Sequence, residues 1–141
     1  LRLYDGLFGN IVVERSLCST LPQMRFDPEQ VRRVVVNLVD NAVDALEQYL
    51  RTSSNGHKGV IVVQTERDEA ASVVRLIVRD NGPGIPDVDR EKLFMPYFST
   101  KRRGSGLGLA IVRRIVVEHG GNIEVSDNVP SGTTFIVELP C

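Results

Sequence analysis

The stretch Ser72-Val73-Val74-Arg75-Leu76-Ile77-Val78-Arg79-Asp80-Asn81-Gly82-Pro83-Gly84 reads as an apolar strand that runs out onto a carboxylate and then into a turn. Branched aliphatic residues suit a pleated, half-buried surface, and Asn-Gly-Pro-Gly cannot continue it, so a strand is expected over Ser72 to Asp80. An aspartate in that position serves either its own turn or, if buried, a ligand that offers a hydrogen-bond donor. Val60 to Glu66 reads as the antiparallel partner of this strand, joined to it across a polar turn.

Working away from that pair, the chain alternates strands and helices. Leu7 to Val13 and Leu21 to Arg25 read as short strands. Asp27-Pro28-Glu29-Gln30 is a helix start, with Asp27 as N-cap, Pro28 at the first helical position and Gln30 as the reciprocal partner of a capping box. The helix runs to about Leu50, with Val31, Val35, Leu38, Ala42, Ala45 and Tyr49 expected on the core side and Arg33, Asn37, Asn41, Asp44 and Gln48 on an adjoining polar stripe. Residues 53–59 form a loop rich in glycine, serine and asparagine. Residues 82–104 hold three prolines and no sustained period, and read as a lid with one short helix near Asp89 to Phe94. A second helix is expected from about Ser105 to Glu118, stopped by Gly120-Gly121, and strands Asn122 to Ser126 and Thr133 to Leu139 close the domain around a turn at Asn128 to Gly132.

At 141 residues the chain suits a single domain over residues 1–141 with a core of its own. Its seventeen basic and eighteen acidic residues leave a formal charge of -1, which gives no support to nucleic acid as a partner. Apolar runs such as Val34-Val35-Val36 are far too short to span a membrane, and no signal-peptide pattern opens the chain. Cys18 and Cys141 are widely separated, so neither a disulfide framework nor a metal cluster is indicated, and a reducing compartment is the simpler expectation.

Three clusters carry chemistry. Asn37 and Asn41 place two amides one turn apart on a helix where lysine or glutamate would serve the helix better, and an amide oxygen is a ligand type that magnesium accepts. Asp80, with Gly82 and Gly84 after it, could accept a hydrogen bond from the exocyclic amino group of adenine while the glycines let the backbone pass close to the ring. Such a carboxylate selects against guanine, whose corresponding position is an acceptor. Gly104, Gly106 and Gly108 lead into an apolar helix, where bare amides and the positive helix end suit phosphates. That spacing is neither the dinucleotide fingerprint nor a P-loop. Each cluster has a plain structural alternative: a solvated helix face, a local turn and a hinge. Their combination points to a magnesium nucleotide.

The order Asn37-x-x-x-Asn41, Asp80-x-Gly82-x-Gly84, Phe94-Met95-Pro96-Tyr97-Phe98 and Gly104-x-Gly106-x-Gly108 resembles the N, G1, F and G2 boxes of sensor histidine kinases, whose ATP-binding domain is shared in outline with gyrase, Hsp90 and MutL. Pro96-Tyr97-Phe98-Ser99-Thr100-Lys101 followed by Gly104 to Val112 is most similar to the nitrogen-regulatory branch. The resemblance implies an α/β sandwich, a mixed, mostly antiparallel sheet packed on helices, with ATP between a lid and the helix layer. It implies that Asn41 coordinates magnesium, that Asn37 lies beside the phosphates, that Asp80 binds the adenine amino group with Gly82, Gly84 and Ile85 bordering the base, and that Thr133 joins Asp80 around a water. Gly104, Gly106, Leu107 and Gly108 would line the phosphate side, Phe94 and Phe98 would anchor the lid, and Lys101 would meet the terminal phosphate.

Two departures qualify the resemblance. Asp44 stands where many members carry lysine or histidine. Nothing before Asn10 could hold the helix pair that bears the phospho-acceptor, and His57 and His119 have ordinary structural settings, so no catalytic residue is assigned and an excised, monomeric catalytic domain is expected. The acceptor histidine would come from a dimerisation domain of the same kinase, with a response-regulator aspartate downstream. The location implied is cytoplasmic, whether or not the parent kinase is anchored in the inner membrane. A nucleotide-gated interaction module remains as an alternative. So does an ATPase or serine kinase of the same fold, although those place a glutamate base where Asn37 stands.

Overall fold

The computed structural model describes residues 11–17, 27–52, 58–95 and 108–141. Among these residues five strands form one sheet: β1 (Ile11–Ser16), β2 (Gly59–Asp68), β3 (Val73–Asp80), β4 (Asn122–Asp127) and β5 (Thr133–Pro140). Their spatial order is β1-β2-β3-β5-β4. Only β1 and β2 run parallel, and the other three pairings are antiparallel. That parallel pair requires a crossover, which the chain makes through α1 (Pro28–Thr52). Two further helices are α2 (Asp87–Arg90) and α3 (Gly108–Glu118). The expected mixed, mostly antiparallel sheet backed by helices is therefore the architecture found.

Alternation along β3 turns Val74, Leu76, Val78 and Asp80 toward one face, and all four are buried. That face, with Ile61, Val63, Phe135 and Val137 of the neighbouring strands, meets Leu38, Leu46, Val112 and Val116 of the two long helices in a single core. Burial of an aliphatic side chain of this size stabilises by about 1.5–3 kcal/mol, so this shared core holds the two layers together.

The buried arc of α1 is broader than the expected stripe and rotated from it. Val34, Leu38, Val39, Ala42, Val43 and Leu46 are buried, whereas Val31, Val35, Ala45 and Tyr49 are only half-buried. A single-stripe reading assumes one neighbour, but α1 is wedged against both α3 and the strands β2 and β3. Its start is as expected at Asp27, whose Oδ1 accepts the Glu29 N–H at 3.0 Å. The capping box is not made: Gln30 Oε1 is buried without a hydrogen-bond partner, and the Asp27 N–H donates instead to His119 Nε2 at 3.2 Å. His119 Nδ1 lies 2.7 Å from the Ile115 carbonyl, so the ring carries its proton there and caps one helix from the end of another.

Element ends shift by a few residues from the sequence expectation. The first strand is described over Ile11–Ser16, in register with residues 59–64, and runs three residues past the expected end at Val13; Leu7 to Asn10 lie outside the described residues. The short lid helix is Asp87–Arg90, followed by turns to Met95, rather than Asp89 to Phe94. The expected strand Leu21 to Arg25 lies outside the described residues, as do 105–107 at the start of the second helix. The end of α3 is the left-handed stop foreseen at Gly120, where φ is 77°. The Gly121 N–H returns to Val116 O and the Gly120 N–H to Val117 O, both at 2.9 Å. No helix among the described residues is long and apolar enough to cross a membrane.

Candidate functional site: a buried carboxylate beside a helix seam

Asp80 ends β3 and is only 5% exposed, so its carboxylate sits in the core rather than in solvent. Its Oδ1 accepts the Gly82 N–H at 2.9 Å, and the Thr133 N–H also bonds the carboxylate. Burial pushes the carboxyl above the usual aspartate range, and these two backbone donors pull only partly against it. Among the described residues no cation pairs with it. An ionised carboxylate has about four acceptor positions, so two backbone donors leave capacity for a ligand's donor.

The corner around Asp80 is shaped by glycines. A Cβ on Gly82 would come 3.1 Å from Asp80 Oδ1, tight enough to press on the carboxylate, and would meet Leu46 Cδ2 of α1 at an ordinary 3.5 Å. Gly84 has φ +81°, and a Cβ there would lie 3.3 Å from the Gly132 carbonyl. Gly132 is tighter still: its φ is +110° and a Cβ would fall 1.9 Å from Asp80 O. The Asn81 side chain ties the same corner to β2, with Oδ1 accepting the Val60 N–H at 2.7 Å and Nδ2 donating to Lys58 O at 3.0 Å. On the other side Asn128 Nδ2 donates to the Asp80 carbonyl at 2.9 Å.

The second part of the site is the seam between α1 and α3. Asn37 is half-buried, and its Nδ2 donates to the Gly108 carbonyl at 3.4 Å, which brings the first and third sequence clusters together. Asn41 follows one turn later and is also half-buried. A Cβ on Gly108 would meet nothing within 4 Å, so packing within the described protein does not require glycine there. Asp44 is half-buried and engaged with other groups of the chain. Phe94 packs on the core and meets Phe135 edge to face, with ring centroids 6.4 Å apart and planes at 82°. Ile85 also rests against the core, and Thr133 is buried beside Asp80.

Of the residues expected from the sequence, the structure thus gathers Asp80, Gly82, Gly84 and Thr133 at one corner and Asn37 and Gly108 at the seam; Asn41 lies on α1 one turn after Asn37, and Ile85 and Phe94 rest against the core. Phe98, Lys101, Gly104, Gly106 and Leu107 lie outside the described residues. Sequence reasoning missed Asn81, Asn128 and the tight fit of Gly132. Each is an ordinary turn residue in sequence, and only the packing of one turn against another gives it further work. No group of three or more His, Cys, Asp or Glu that could hold a metal occurs among the described residues.

A ligand that donates to a buried carboxylate and has anionic groups for a helix start suits this arrangement, and a nucleotide has both; the class is that of an α/β sandwich with a candidate nucleotide site. Comparison with known proteins agrees. The family model for histidine kinase-, DNA gyrase B- and HSP90-like ATPases matches residues 26–141, and the chain belongs to that family.

The sensor histidine kinase ZraS of Escherichia coli K12 is 40% identical over 122 residues, 86% of this chain and 24% of ZraS. The sensory histidine kinase/phosphatase NtrB of Salmonella typhimurium is 38% identical over 136 residues, 93% of this chain and 37% of NtrB. The chain therefore spans 24% to 37% of the length of these relatives. Among solved structures, histidine kinase ThkA in complex with the response regulator protein TrrA superposes with a TM-score of 0.70 at 33% identity, covering 93% of this chain and 34% of ThkA. Within its family the chain is a catalytic domain of the sensor histidine kinase type.

Proposed function

We propose that this domain binds ATP and presents its terminal phosphate to a histidine on a separate dimerisation domain of the same kinase. The observation that carries the reading is Asp80, a buried carboxylate at a strand end with two backbone donors already placed and acceptor capacity left over. An adenine amino group completes it, and a guanine oxygen in that place would meet a like acceptor. Ile85, Gly82 and Gly84 border the base, and Thr133 holds Asp80 from the next strand.

The phosphates would run along the seam toward Gly108, where no described residue comes within 4 Å of an added Cβ, with Gly104, Gly106 and Leu107 supplying further backbone and Lys101 a cation for the terminal phosphate. Phe94, fixed on Phe135, and Phe98 would anchor the lid. Asn41 has the amide oxygen that a magnesium ion accepts beside phosphate oxygens, so it would hold the metal, with Asn37 beside it. Magnesium supplies neutralisation of phosphate charge.

The chain's own contribution to transfer is position. The adenine end is held by Asp80 and the seam orients the phosphates, while the nucleophile is the imidazole nitrogen of the incoming histidine, which attacks in line as the bond to ADP breaks. Asn37 cannot take a proton as a glutamate would, which favours transfer to histidine over water activation or serine phosphorylation. By this reading residues 1–141 form one catalytic domain, active on a partner domain and monomeric when alone. The phosphohistidine then supplies an aspartate of a response regulator, a partner that ThkA is known to meet. The relation to NtrB supports a nitrogen-regulatory role for the parent kinase.

The test is to incubate the chain with labelled ATP, magnesium and the histidine-bearing dimerisation domain supplied in trans. Acid-labile label on that domain is the expected result. Binding of ATP with no label transferred would overturn the kinase reading and leave a nucleotide-gated interaction module.

A further inference from the structure

The turn between β4 and β5 makes contacts that the ATP reading above does not use. The Asn128 N–H closes it by donating to Gly132 O at 3.0 Å, and Asn128 then sends its side-chain Nδ2 to the Asp80 carbonyl at 2.9 Å. Ser131 Oγ reaches the next carbonyl, that of Asn81, at 3.4 Å. Gly132 lies so close that a Cβ would fall 1.9 Å from the Asp80 carbonyl oxygen and 2.9 Å from Asn81 Cα. The turn is also tied to the segment after Ile85, because Arg90 of α2 pairs with Asp127, the residue before Asn128. Thus the main chain that carries the Asp80 carboxylate is gripped from outside its own strand, on two successive carbonyls, by a turn that supplies no group expected to meet a ligand.

We propose that Asn128 is a positioning residue for the nucleotide site: its amide holds the Asp80 carbonyl, and through it the direction of the Asp80 carboxylate. The inference rests on the reading of Asp80 as the adenine acceptor. Its physical basis is that a carboxylate's direction follows from its backbone. The Gly82 N–H and Thr133 N–H fix the carboxylate relative to its two neighbours, and Asn128 fixes the peptide from which it springs. The bond is part-buried, so when the Asn128 amide is removed the carbonyl would turn toward another donor, water included, and carry Cα–Cβ with it. Asparagine is suited to the task because it supplies an N–H donor on a short side chain while tolerating a turn backbone. Aspartate, its isostere, presents only acceptors when ionised, and these would face the Asp80 carbonyl and lie near a second carboxylate.

The experiment compares wild type, Asn128→Ala and Asn128→Asp of this chain. ATP and ADP dissociation constants are measured by calorimetry at a temperature where circular dichroism shows each variant folded, and the backbone amide signal of Gly82, which reports its bond to Asp80 Oδ1, is followed by NMR. Positioning predicts that both variants weaken ATP and ADP alike by about fivefold or more, the equivalent of one hydrogen bond, and that the Gly82 amide signal moves in the absence of nucleotide. Affinity within twofold of wild type overturns the proposal, as does weakened binding with an unmoved Gly82 signal. Failure of both variants to fold would assign Asn128 to stability alone and also overturn it. If wild type binds no ATP, or binds it equally as Asp80→Asn, the underlying reading of Asp80 has failed, an outcome distinct from unchanged binding by the Asn128 variants.

Discussion

Gly132→Ala is expected to break the corner that carries Asp80. A Cβ on Gly132 would stand 1.9 Å from the Asp80 carbonyl oxygen, 2.7 Å from its carbon and 2.9 Å from Asn81 Cα, all backbone atoms that cannot swing aside. Ordinary contact begins at 3.4 Å, so the end of β3 and the turn must part by about 1.5 Å. Alanine would also hold φ near +110°, which costs about 1–3 kcal/mol for a residue with a side chain. Relieving the overlap in a packed region adds about 1–3 kcal/mol, giving a total of about 2–6 kcal/mol. Urea unfolding with linear extrapolation measures this directly, because a two-state loss of that size moves the midpoint without changing the slope. ATP binding should fall with it even where the protein remains folded, since Asp80 moves. A loss below about 1 kcal/mol with ATP affinity intact would refute the reasoning, because it would mean that the turn does not press on β3 as described.

Gly108→Ala should behave oppositely: with nothing among the described residues within 4 Å of the new methyl, stability rises by up to about 1 kcal/mol while ATP affinity falls, as thermal melting and calorimetry on one preparation would record. His119→Ala removes the acceptor of the Asp27 N–H and a bond to Ile115 O, and should cost about 0.5–2 kcal/mol in urea unfolding with nucleotide affinity unchanged. Burial raises the Asp80 carboxyl in the folded chain, so its favourable contribution to stability is complete below the unfolded value of about 3.9 and is lost as pH rises through the folded value. Unfolding of wild type relative to Asp80→Asn across that window should therefore show wild type losing ground as pH rises. A difference that grows the other way would contradict the burial argument.

The architecture was legible because the motifs sit at element ends. Val73 to Val78 alternate into a core face, and the glycine-proline turn after Asp80 stops the strand where it must stop. Asp27-Pro28 and Gly120-Gly121 are local devices, and their geometry needs no knowledge of the rest of the chain. What was not legible depends on contacts distant in sequence. The face of α1 is set by the joint presence of α3 and two strands, so a periodic pattern placed Val31 and Tyr49 inward and left out Val43 and Leu46. Gln30 has the right spacing for a capping box, but the imidazole of His119, 92 residues from Asp27, takes the Asp27 N–H that Gln30 would have accepted. The same limit applies at the site. Asp80, Gly82 and Gly84 are contiguous and readable, whereas Asn128, which holds the Asp80 carbonyl from 48 residues away, looks in sequence like any asparagine in a turn.

Calorimetric titration of ATP with magnesium into this chain and into Asp80→Asn, with GTP as the competing purine, is the most direct measure of whether a buried carboxylate reads adenine here. The account predicts that wild type binds ATP well above GTP and that Asp80→Asn loses this binding. Equal affinity for the two purines, or ATP binding that persists without the Asp80 carboxylate, would contradict it.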